Sequence, residues 1–237
     1  MHKTILKSTL AALVFGGLTS AARAGVEVNG SFEQTFGSPS GGQLGYNIFV
    51  SSWTPSGVDY LFTPGSLTTG VPAAAGTVTL SGPGTGVPNG LSTSPDGGNL
   101  IGAESGGSLS QTINGLSIGS QYTVSFEYAG AQKSGNFGPT SQQWDVSFGG
   151  QTQDSSLLAN ASQGFTGWNL TSLTFTADAS SEVLSFYATA FPDTLGSVTL
   201  LDGISVINVT AVPEPSMLAL AGMGAAGLLV RRFRNRK

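Results

Sequence analysis

Apolar and polar residues alternate with a period of two through much of the second half of this chain. "QYTVSFEYAG" (121–130) sets Tyr122, Val124, Phe126 and Tyr128 against Thr123, Ser125 and Glu127. That is the pattern of a strand buried on one face. The same alternation recurs in "QWDVSFGG" (143–150), "WNLTSLTFTA" (168–177), "EVLSFYATA" (182–190) and "SVTLLDGISVINV" (197–209). Turn residues separate these runs, and between the two ends of the chain no segment repeats with a helical period. The pattern predicts an all-β domain over residues 25–210, built as an antiparallel two-sheet sandwich.

Residues 63–98 break the alternation. Gly, Pro, Ser and Thr make up 25 of these 36 residues, leaving only Leu67 and a few valines to pack. The stretch reads as a long loop or insertion with one short strand over 77–80, and flexible decoration is the expected role.

Both ends of the chain follow other rules. "MHKTILKSTLAALVFGGLTSAARAG" has a basic start (Lys3, Lys7), an apolar stretch from Leu10 to Leu18, and Ala22-Arg23-Ala24 before Gly25. This predicts a signal peptide over 1–24, cut by signal peptidase between Ala24 and Gly25. At the other end, 216–230 is 15 residues long and carries no charge, and five of the nine Lys and Arg fall in the last seven positions. As a helix the run spans about 22 Å, short of a hydrocarbon core of about 30 Å unless flanking stems snorkel. The basic tail is expected to stay cytoplasmic, with 25–212 outside.

Pro213-Glu214-Pro215, the Gly/Ala/Leu-rich span behind it, and Arg231, Arg232 and Arg234 together resemble the PEP-CTERM sorting signal, over 211–237. The resemblance implies a Gram-negative bacterium that makes extracellular polysaccharide. It also implies transient anchoring in the inner membrane, processing by an exosortase-type membrane protease, and passage to the cell surface or extracellular matrix. Physically, the two prolines keep the segment extended and unable to join a helix behind them.

Charge and composition then remove whole classes of function. Between Gly25 and Val212 one lysine, Lys133, stands against twelve carboxylates, a formal charge of −11. Nucleic acid and anionic membrane surfaces are excluded as partners. There is no cysteine, and the only histidine, His2, leaves with the signal. Disulfides, Ser-His-Asp nucleophiles and His/Cys zinc sites are therefore ruled out for the mature body, and no phosphate-binding glycine loop occurs. Carboxylate chemistry survives, as an acid/base pair or as calcium ligation. A glycoside-active enzyme would use a pair such as Glu104 and Asp145. No flanking chemistry singles that pair out, so no catalytic residue is assigned.

"VEVNGSFE" (26–33) and "LLDGISVINV" (200–209) resemble the first and last strands of the galactose-binding-like jelly roll. That fold is shared by carbohydrate-binding modules, DUF642-type proteins and choice-of-anchor domains, and "SSWTPSGVDYL" (51–61) is similar to a segment of choice-of-anchor C proteins. The resemblance implies a structural calcium held by Glu33 and Asp202, with Gly203 standing where many relatives offer another ligand. The competing reading makes Asn29-Gly30 a turn and packs Phe32 in the core. Sugar binding needs an exposed aromatic plate with neutral hydrogen-bonding groups around it. Trp144, which follows a loop-like lead-in, is the first candidate, with Trp53 and Tyr60 beside it, whereas Trp168 opens a strand and is expected in the core. The expected function is an exported, non-catalytic surface or matrix protein that associates with polysaccharide. The alternatives are a glycoside-active enzyme and a purely structural surface protein.

Overall fold

The computed structural model describes residues 26–209. The signal segment with Ala22, Ala24 and Gly25, and the sorting segment with Pro213, Glu214, Pro215, Arg231, Arg232 and Arg234, lie outside the described residues. Short strands come first: β1 (Thr35–Gly37), β2 (Gly42–Gln43), β3 (Ile48–Val50), β4 (Thr54–Ser56) and β5 (Asp59–Phe62). A one-turn helix α1 (Ser66–Thr69) and the hairpin β6 (Val71–Ala73) and β7 (Gly76–Val78) follow. Next come β8 (Leu100–Ala103) and the longer β9 (Ser108–Asn114), β10 (Gln121–Gln132) and β11 (Thr140–Phe148). The chain closes with β12 (Gln151–Asp154), β13 (Leu158–Asn160), β14 (Asn169–Thr176), β15 (Ser181–Phe191) and β16 (Ser197–Asn208).

Twelve of these strands form two antiparallel sheets packed face to face, the sandwich that the alternation predicts, while β1 with β3 and β6 with β7 make separate two-stranded sheets. One large sheet runs β14-β10-β16-β8-β5-β2, and the other β12-β11-β15-β9-β4 with β13 also on β11. The five alternating runs fall on β10, β11, β14, β15 and β16. Their inward residues meet between the sheets. Phe126 of β10 packs edge-on against Phe186 of β15 at 5.0 Å, and Trp144 of β11 reaches the same ring at 6.1 Å. Burying each such side chain contributes about 1.5–3 kcal/mol.

Two expectations are corrected. "VEVNGSFE" is not the first strand, which begins at Thr35. Asn29 takes a left-handed backbone, its Oδ1 accepts the Gln34 N–H at 2.9 Å, and its Nδ2 donates to the carbonyls of Gln34 and Ser51. The side chain thus holds the chain in a turn, and Phe32 drops into the core against Trp53 at 5.7 Å.

The second correction concerns residues 63–98, which fold. Leu67, Val71, Ala73 and Leu80 are buried in a second apolar cluster with Tyr60, Phe62, Leu100, Ala129, Ala131, Val198 and Leu200. Those partners belong to the β5, β8, β10 and β16 faces turned away from the sandwich. The insertion is a cover over the back of the first sheet, and the predicted strand over 77–80 is the second arm of its hairpin.

One irregularity sets the site. Opposite Ser125–Glu127 of β10, β16 carries an extra residue between Asp202 and Ser205. Gly203 absorbs this bulge with φ +58, a conformation that favours glycine. The bulge lets Leu201 and Ile204 both face the core while Asp202 faces the insertion.

Candidate functional site

The insertion covers two sets of polar groups on the back of the first sheet, one lining a cavity and one largely buried. Under hairpin β6–β7, at the ends of β5, β8 and β10, lies a cavity of about 560 Å³. That falls within the range of small-molecule sites. Its floor is polar. Glu104, just past β8, receives on Oε1 both the Lys133 ammonium at 2.9 Å and the Tyr60 hydroxyl. Glu104 and Lys133 side chains are each 27% exposed, so the pair faces the opening.

Local structure fixes all three groups. Tyr60 sits on β5 with its ring buried beside Phe62 and only its phenol end on the cavity. Burial, and after it the Glu104 carboxylate, raises that phenol well above its ordinary pKa, so it remains a donor. Lys133 donates its backbone N–H to Gly196 at 2.8 Å and bridges to Leu80 of the insertion. Gln43 and Asn136 complete the polar rim: Gln43 Oε1 accepts the Ala74 N–H at 2.8 Å, and Asn136 Nδ2 donates to the Lys133 carbonyl at 3.3 Å. Val58, Val78 and Ala75 supply the apolar wall.

The second set consists of acids beneath the insertion. Asp202 is fully buried, its Oδ1 accepts the Gly203 N–H at 2.7 Å, and its Oδ2 has no hydrogen-bond partner. Burial first, and then the adjoining Asp96 carboxyl, push Asp202 up to about 8. Glu127, opposite it on β10, also buries an unpartnered oxygen, Oε2, and is raised by burial and by the Asp96 charge. Ser94 donates to Asp96 at 3.0 Å and holds that loop. A third raised carboxyl, Asp59 of β5, is pushed to about 8 by burial against the pull of backbone N–H groups at Ser108 and Ser56.

The sequence-predicted residues are dispersed over these features. Glu33 and Asp202 grip the same loop but make no contact with each other: Glu33 is exposed and accepts the Asn99 N–H at 2.5 Å. As the side chains stand, no group of three or more His, Cys, Asp or Glu among the described residues closes into a metal site. The oxygens present are nonetheless of the hard type that suits calcium, and two of them are buried without donors.

Trp144 is corrected outright. It is fully buried, and its indole N–H donates to the Leu200 carbonyl at 3.0 Å, because β11 alternates in register and turns position 144 inward. Trp53 is likewise core, whereas Trp168 is half-buried at the rim of the second cluster against Phe165. Of the three proposed aromatics only Tyr60 reaches a cavity. Exposed rings occur instead on Phe36 and Phe49, directly opposite each other across β1 and β3.

Glu104 and Asp145 lie apart, on different sheets. Asp145 faces outward on β11, taking Gln143 at 2.8 Å and Thr189 at 2.7 Å, and Glu104 is the one carboxylate lining the cavity. The residues missed from sequence are Gln43, Asp96, Glu127 and Lys133. Lys133 carried a usable signal: a lone cation among twelve carboxylates must choose one of them.

Residues 211–236 match the PEP-CTERM protein-sorting motif. The motif marks an exported, membrane-transiting protein. No curated protein matches the sequence. Among solved structures, the CBM22-1 xylan-binding domain from Paenibacillus barcinonensis Xyn10C is 16% identical with a TM-score of 0.40, over 81% of this chain and 100% of that one. TmCBM61, solved in complex with beta-1,4-galactotriose, is 14% identical with a TM-score of 0.38, over 78% of this chain and 99% of that one. The EclA C-terminal domain, a sugar-binding protein, is 19% identical with a TM-score of 0.32. That match covers 41% of this chain and 64% of the EclA domain.

Proposed function

We propose that this chain is an exported, non-catalytic protein of the cell surface or extracellular matrix that associates with polysaccharide through the cavity under hairpin β6–β7. One observation carries the reading: Tyr60, Glu104 and Lys133 converge on a cavity of about 560 Å³ with amide side chains at its rim. Sugar hydroxyls need such mixed donors and acceptors, and the apolar wall suits the C–H faces of a ring. Glycoside hydrolysis needs two carboxylates flanking the bond, and the cavity lining offers one. Binding per site should be weak, with retention in a polymer coming from many copies. The sorting tail brings the protein to an exosortase-type protease, which removes the tail after export.

The test is retardation of the full-length protein in gels that contain the producing cells' own extracellular polysaccharide. Wild type should be slowed and Tyr60→Phe slowed less. Equal mobility with and without polymer, or release of reducing sugar by the wild type, would sink the reading. Mass spectrometry of surface protein still carrying Arg231 to Lys237 would leave a plain membrane anchor in place of processing.

A second reading is favoured by the orphaned Oδ2 of Asp202. Calcium at this point would be held by Asp202 and Asp96, with Glu127 and backbone carbonyls completing its shell and Glu33 holding the loop from outside. Bound there, it would pin the insertion to the first sheet where no disulfide can.

A further inference from the structure

The donors and acceptors of the cavity, counted atom by atom, select among sugars; this selection rests on the polysaccharide reading above. Lys133 Nζ has three N–H donors and directs one at Glu104 Oε1. Tyr60 gives its proton to the same oxygen. Glu104 Oε2 therefore takes no donor from the protein, and it stands beside an ammonium with donors to spare. Tyr60 matters here as a positioning group, since its bond to Oε1 holds the carboxylate with Oε2 free. Around the rim, the Gln43 amide offers N–H groups and the Asn136 Oδ1 accepts.

A hydroxyl both donates and accepts, so two adjacent hydroxyls of a ring match this floor. One donates to Glu104 Oε2 and its neighbour accepts from Lys133. A carboxylate, sulfate or phosphate only accepts. It would meet Lys133 but set its charge against Glu104, inside a body that already carries twelve carboxylates against one lysine. An ammonium-bearing sugar would meet Glu104 Oε2 but set its charge against the Lys133 ammonium beside it. We infer that the cavity takes neutral glycan, held by a vicinal diol between Glu104 and Lys133, and discriminates against uronic and sulfated polymers.

Affinity electrophoresis of the full-length protein in gels of dextran, galactan, alginate and polygalacturonate tests this. Retardation by at least one neutral polymer and by neither acidic one is expected. Glu104→Gln and Lys133→Met should each weaken it about tenfold, as for loss of a charged hydrogen-bond partner, with melting curves confirming that both variants fold. Retardation by alginate that disappears in Lys133→Met but persists or strengthens in Glu104→Gln would overturn the neutral-diol inference while leaving polysaccharide association intact. Retardation by neutral gels that neither variant changes would overturn the inference and the cavity together. If none of the four polymers slows the protein, the inference fails even where the cells' own polymer still does.

Discussion

Glu104 and Asp202 lie on the same back face of the first sheet, under the same insertion, yet they live under opposite conditions. Glu104 has Lys133 and Tyr60 on one oxygen and opens to solvent. Asp202 has no cation, lies against Asp96 and Glu127, and is fully buried. Glu127 and Lys133 are six positions apart on one strand run, roughly 20 Å if extended, so one lysine cannot serve both. The one lysine can pair with a single carboxylate, so a carboxylate buried elsewhere has only a proton or a metal to offset its desolvation. That difference separates a site suited to binding a ligand from one suited to closing the fold.

The largest blow to the comparison is Trp144→Ala, which removes the packing under both regions. Its indole fills the core and bonds Leu200, two residues from Asp202 on β16. A loss of about 3–5 kcal/mol is expected in denaturant unfolding. A loss under about 1 kcal/mol, together with weakened polysaccharide retention, would return Trp144 to the surface role that its loop-like lead-in suggested.

Calcium sharpens the contrast next. At a hundredfold excess over its dissociation constant it should add about 2.7 kcal/mol, or roughly 5–10 °C in melting for a domain of this size. Asp202→Asn should abolish that gain and Glu104→Gln should keep it. Identical melting in calcium and in chelator would leave the acid cluster to a shared proton.

A change of pH tests the buried acids in another way. Asp59, one residue before Tyr60, has its carboxyl pushed from 3.8 to about 8 by burial. Its folded form then holds a proton that the unfolded chain gives up, so its stabilising share is complete below pH 3.8 and is lost as pH rises through about 8. Stability in chelator should decline from pH 4 to 8, and Asp59→Asn, which mimics the neutral acid, should flatten part of that slope. A slope that rises over this window, or one that the variant leaves unchanged, would place the charge elsewhere.

The smallest shift in stability is expected for Lys133→Met. A partly exposed pair contributes about 0–1 kcal/mol, so melting should move by only a few degrees at most while binding falls. A collapse in melting would make Lys133 a structural strut of the insertion instead of a ligand group.

Much of the sandwich was legible because period-two alternation is imposed locally by the pleat. Tyr122 to Tyr128 on β10 and Leu184 to Ala188 on β15 bury as their spacing predicts. Trp144 shows the limit of reading flanks instead of period: its neighbours Gln142, Val146 and Phe148 bury with it in strict alternation, and that parity outweighed the loop-like approach. The first strand was misplaced for a similar reason. "VEVNGSFE" has strand-like alternation at its start, but the Asn29 side chain bonds to Gln34 and Ser51 and holds a turn.

By itself the sequence determined the all-β class, the absence of His and Cys chemistry from the body, and the sorting motif at its end. Each of these depends on composition or on residues adjacent along the chain. Which carboxylate would receive Lys133, and that a Gly/Pro/Ser/Thr-rich stretch would fold over the back of a sheet, were decided only in three dimensions. Glu104, Tyr60 and Lys133 are separated by 29 to 73 positions in the chain. What brings them together is the antiparallel stacking of β5, β8, β16 and β10 in one sheet. Leu67, Val71 and Leu80 are too few to form a core alone, and they acquire one only because Ala129, Ala131, Val198 and Leu200 leave an apolar back face for them to cover.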